Sequence, residues 1–74
     1  MTGKLPSVSG KEAVKALSKF GFLVKRITGS HYIMFNPVTQ KTVPVPYHKT
    51  LAKGVLQSIV KLSGLTREEF LKLL

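Results

Sequence analysis

Apolar residues first recur at helical spacing after Ser9, at Ala13, Val14, Ala16, Leu17 and Phe20. Ser9 and Glu12 have the spacing of a capping box, so a helix is predicted to start there, and Gly21 is expected to stop it. From Phe22 the pattern changes. Phe22 to Thr28 and His31 to Asn36 are rich in β-branched and aromatic residues and read as strands, joined by the hairpin signal Gly29-Ser30. A looser turn over Pro37 to Lys41 leads to a third strand, Thr42 to Tyr47. Pro44 and Pro46 share one phase of that strand and cannot donate ladder bonds, which predicts an edge position. Thr50 then suits the N-cap of a second helix, Leu51 to Ser63, with Val55, Leu56, Ile59, Val60 and Leu62 as its apolar positions and Gly64 at its end. A further capping box, Thr66 to Glu69, predicts a short terminal helix, Arg67 to Leu74.

The order α-β-β-β-α with an added α predicts one α+β domain, a two-layer sandwich with its helices on one face of an antiparallel sheet. The second strand carries large apolar residues on both phases, Tyr32 and Met34 on one, Ile33 and Phe35 on the other. One helical layer covers one face. The other phase is then either left partly exposed for a partner or for self-association, or covered by loops and the terminal helix.

Length and composition narrow the classes. A 74-residue chain buries only about 60 % of the surface its unfolded form exposes. It has no cysteine, which removes disulfides and thiolate metal sites and fits a reducing, cytoplasmic setting. The N-terminal stretch MTGKLPSVSGKEAV lacks the roughly 7–15 apolar residues of a signal peptide, and no run approaches the roughly 18 of a membrane span. A hydrophobic fraction of 43 % argues for a folded domain.

Charge changes the picture most. Twelve Lys and Arg face three acids, for a net charge of +9. That excess favours a polyanion, with nucleic acid ahead of a membrane surface because the basic residues are spread along the chain rather than gathered in one segment. There is no Asp, and two of the three glutamates, Glu12 and Glu69, stand at capping-box positions. A two-metal nuclease needs several convergent carboxylates, so neither a metal nor another cofactor is expected, and phosphodiester chemistry would rest on His, Tyr, Ser and Lys.

Connectivity gathers those residue types. In a meander, the end of the first strand, the start of the second and the end of the third meet, which brings Thr28, Gly29, Ser30, His31, His48, Lys49, Thr50 and Lys53 toward one edge. Lys49 and Lys53 flank a helix start whose dipole opposes them by about 0.3–1 kcal/mol each. Gly54 costs about 1 kcal/mol more against Ala. Such a start makes physical sense if an anion docks on it, so Gly29, Lys49, Thr50 and Lys53 are candidate phosphate contacts. RNA can be cut without metal when a base takes the 2′-hydroxyl proton and an acid protonates the leaving 5′-oxygen. Histidine suits both tasks. His31 is the candidate catalyst; Ser30, Tyr47 and His48 are unranked candidates for assisting it.

Gly29-Ser30-His31, the β-stretch ending at Pro37, Val43-Pro44-Val45-Pro46-Tyr47-His48 and Lys53-Gly54-Val55-Leu56-Gln57-Ser58-Ile59 together resemble the HicA toxin family, from about Ser9 to Leu65. The resemblance implies a fold like that of double-stranded-RNA-binding domains. It implies an endoribonuclease that cleaves mRNA, with His31 in the place of the family's catalytic histidine, and a HicB-type antitoxin that covers the active site. Val55 stands where family members commonly have Thr, and neutral Gln57 where a basic residue is frequent. The competing reading is a non-catalytic RNA-binding module of the same fold, which explains charge and architecture but leaves the histidine at the convergent edge without a task. A DNA-binding protein fits less well, since there is no helix-turn-helix spacing.

Overall fold

The computed structural model describes residues 7–74, in the order α1 (Gly10–Lys19), β1 (Leu23–Thr28), β2 (His31–Asn36), β3 (Lys41–Pro46), α2 (Lys53–Ser63) and α3 (Arg67–Leu73). The expected α+β sandwich with its added helix is the fold seen. Both predicted capping boxes form: Ser9 Oγ accepts from the Glu12 amide at 3.0 Å, and Thr66 Oγ1 from the Glu69 amide at 3.1 Å. Gly21 and Gly64 take the left-handed φ that ends α1 and α2, and Gly29 does so in the hairpin, at φ 56°.

The sheet runs β1-β2-β3, all antiparallel. Register places Thr28 opposite His31 and His31 opposite Pro46, so the three strand ends expected to meet do meet. The prolines lie on an edge strand, as their shared phase required. Met34, Val43 and Val45 are fully buried beneath the helices with Leu17, Leu56 and Ile59.

Several boundaries differ from expectation, among them β3, which runs Lys41–Pro46, one residue earlier than Thr42 to Tyr47 and so leaving Tyr47 just beyond the strand. α2 begins at Lys53 with Ala52 at its N-cap, and Thr50 caps nothing. The cause is Leu51: its side chain is buried and its amide donates to the Val8 carbonyl at 2.8 Å, so the helix starts only after the bend at Lys49 and Thr50 has delivered Leu51 to that contact. Phe22, expected in the first strand, precedes β1 and is buried, whereas Phe20, expected on the buried face of α1, is exposed at that helix's C-cap. α3 does more than extend the chain. Its Phe70 is fully buried, and Lys19 Nζ reaches the Leu73 carbonyl at 3.1 Å.

Of the two phases of β2, Tyr32 and Met34 face the helices, while Ile33 and Phe35 on the outer face are half-buried. The Lys25 ammonium lies 5.0 Å from the centre of the Phe35 ring, a cation–π contact. α3 packs against α1 and leaves the outer face to the strands themselves.

Candidate active site

His31 opens β2 directly after the tight turn Gly29-Ser30. The Tyr47 amide donates to the Ser30 carbonyl at 2.7 Å, which ties the end of β3 to the hairpin corner and fixes the backbone on both sides of the histidine. A Cβ at Gly29 would meet nothing within 4 Å, so glycine serves the turn by its conformation, and the space above it is open to an approaching strand.

The imidazole is exposed and lines a cleft of about 190 Å³ with Pro44, Pro46, Val55, Ser58, Ile59 and Leu62. Two prolines of β3 form one wall and one face of α2 the other. Residues 55, 58, 59 and 62 recur at helical spacing, so the sequence carried the signal for this wall, although only the start of α2 was expected there. No carboxylate borders the cleft. Of the three glutamates, Glu12 and Glu69 each accept from the backbone amide of their own N-cap residue at 2.9 Å, and Glu68 sits in the first turn of α3. Among the described residues there is no group of three or more His, Cys, Asp or Glu able to hold a metal ion.

The remaining expected residues separate into two groups. His48 and Lys49 line a second pocket of about 430 Å³ with Ser9, Lys11 and Tyr47. The two histidines therefore sit at the same end of the molecule in different pockets, and Lys49 faces the beginning of α1. Lys53 is the first residue of α2, whose N-cap makes no side-chain hydrogen bond and whose first turn has no acid. Thr50 is exposed between these groups. Ser9 and Lys11 were absent from the expected set, because their approach to His48 depends on a tertiary contact: the Gly10 amide donates to the His48 carbonyl at 2.8 Å. A side chain at Gly10 would collide with the Pro46 carbonyl, so the approach requires glycine.

A family model described as the HicA toxin of bacterial toxin–antitoxin matches residues 10–65, a span that includes His31, the whole sheet and α2. The chain belongs to the HicA toxin family. It is thus a toxin of a toxin–antitoxin system, and the family implies an antitoxin partner. No curated protein matches the chain. The HicA match ends at Leu65, before α3. Among the described residues no helix is long and apolar enough to cross a membrane.

Proposed function

We propose that this chain is a metal-independent endoribonuclease that arrests translation by cutting mRNA, with His31 as its catalytic residue. The observation that carries the reading is the placement of His31: an exposed imidazole, held at a rigid hairpin corner, on a carboxylate-free cleft, in a chain of net charge +9 that belongs to a toxin family. The imidazole takes the proton of a ribose 2′-hydroxyl, and the 2′-oxygen attacks the adjacent phosphorus. A bond from phosphorus to the 2′-oxygen forms and the bond to the 5′-oxygen breaks, leaving a 2′,3′-cyclic phosphate and a 5′-hydroxyl. The departing 5′-oxygen takes its proton from a second group, for which Ser30, Tyr47 and His48 remain the candidates. The uncapped start of α2 with Lys53, and the open turn at Gly29, offer the phosphate its contacts. A HicB-type antitoxin in the same bacterial or archaeal cytoplasm holds the toxin silent by covering this corner.

The test uses the purified chain and end-labelled RNA, in chelator and in magnesium. Wild type should cleave equally in both, and His31→Ala should lose roughly 10²- to 10⁴-fold in rate while retaining RNA affinity. A wild-type chain that binds RNA and leaves it intact in both buffers would be a non-catalytic RNA-binding module.

A further inference from the structure

The second pocket is the larger of the two, and its walls are of a different kind. Lys11 and Lys49 supply two ammonium groups, Ser9 and His48 supply polar edges, and the Tyr47 ring supplies an aromatic surface. Tyr47 stacks on Tyr32 with ring centres 4.5 Å apart and planes inclined by 20°. Tyr32 packs against the core, so the outer ring has a firm backing, yet Tyr47 remains 42 % exposed.

The walls are fixed from both sides. The Tyr47 amide is held by Ser30, the His48 carbonyl by Gly10, and the start of α1 by the capping box. A preformed pocket of about 430 Å³ falls within the roughly 300–1,000 Å³ range of small-ligand sites, and an aromatic plane beside two cations suits a base with its phosphate. Pro46, which lines the His31 cleft, and His48, which lines this pocket, are two residues apart, so their Cα atoms lie no more than about 7 Å from one another. The two pockets therefore adjoin along Pro46 to His48.

We propose that the pocket formed by Ser9, Lys11, Tyr47, His48 and Lys49 is a nucleotide subsite, in which a base of the RNA strand flanking the cleaved linkage stacks on Tyr47 and its phosphate is held by Lys11 and Lys49. This inference rests on the reading of the chain as RNA-binding. The subsite adds affinity and register, while His31 does the chemistry.

The test measures binding separately from cleavage. Oligoribonucleotides with 2′-O-methyl groups, which cannot be cut by 2′-oxygen attack, are titrated by fluorescence anisotropy as their length increases. Wild type should gain affinity in one step when the strand becomes long enough to fill the pocket. Tyr47→Ala should lose that step, about 5- to 100-fold, and Tyr47→Phe should restore it, since base–aromatic stacking uses the ring. Tyr47→Ala also removes a packing partner of Tyr32, so Lys11→Glu provides an independent test.

Lys11 is exposed in the first turn of α1, where a negative charge favours the helix. Lys11→Glu should therefore melt no lower than wild type while binding long strands more weakly. Lys11→Ala should reduce the slope of log affinity against log salt by about 0.7 if the lysine neutralises one phosphate. Full long-strand affinity in both Tyr47→Ala and Lys11→Glu, while wild-type cleavage still depends on His31, would overturn the subsite and leave the ribonuclease standing. Failure of wild type to bind RNA of any length would overturn both.

Discussion

β1 and β3 have the same length and the same neighbour, yet they live in different environments. Each has six residues, and each pairs only with β2. In β3, Val43 and Val45 are fully buried, because α1 and α2 lie over that half of the sheet. In β1 every residue is exposed, with Leu23 at 62 % and Ile27 at 56 %. α1 is held to that side by anchors at both of its ends. The Gly10 amide bonds beyond the end of β3, and Asn36 Nδ2 at the end of β2 donates to the Phe20 carbonyl at 3.2 Å. The two edges are accordingly defended by different means. β3 carries prolines and a flanking helix; β1 carries a bulge between Val24 and Arg26, with Lys25 and Arg26 in the strand. The covered edge provides a wall beside His31, so stability and site geometry are concentrated in the same half of the sheet.

Removing packing from the covered edge should break this contrast most severely. Leu56 of α2 is 2 % exposed, and Leu56→Ala should cost about 2–5 kcal/mol in chemical denaturation, enough to threaten a chain this small. Gly10→Ala should come next, at about 1–3 kcal/mol, since the added carbon meets backbone that must move. The shift would also separate the His48 carbonyl from the Gly10 amide, so RNA affinity should fall with stability. An unchanged melting temperature in Gly10→Ala would mean that α1 and the end of β3 can slide apart freely.

Much of this division was legible in the residues. Local signals located both capping boxes, the Gly29-Ser30 corner, the edge position of a strand with two prolines, and His31 among the strand ends. Contacts distant in sequence were not legible. Leu51 delays α2 because Val8 takes its amide, and Lys11 reaches the His48 pocket because Gly10 fits under Pro46. No periodicity encodes either pairing. Phe20 and Phe22 show a subtler failure: both are apolar beside Gly21, and only the left-handed turn at that glycine, with φ 97°, decides which one enters the core. Alternation also gave no hint that β1 would lie outside the helical cover, since Val24 and Ile27 look like core residues until the positions of the helices are known.

The open edge should tolerate what the covered edge does not. Ile27→Thr keeps a β-branched shape on an already exposed position and should change stability by no more than about 0.5 kcal/mol. The smallest effect on stability should come from neutralising the charges beside it, with Lys25 and Arg26 both replaced by Thr. Thr is at home in a strand, so thermal unfolding of the dilute monomer should barely move, apart from the loss of the Lys25 contact with Phe35. Association should respond instead. With those charges gone, β1 presents an unpaired backbone beside Leu23, Val24 and Ile27, the arrangement that recruits a second strand. Sedimentation velocity should show the double variant forming dimers or larger species at concentrations where wild type sediments as one copy. If the variant stays monomeric, the bulge alone protects this edge, and Lys25 and Arg26 are there for another reason, with the outer face beside Phe35 the first place to look for RNA contacts.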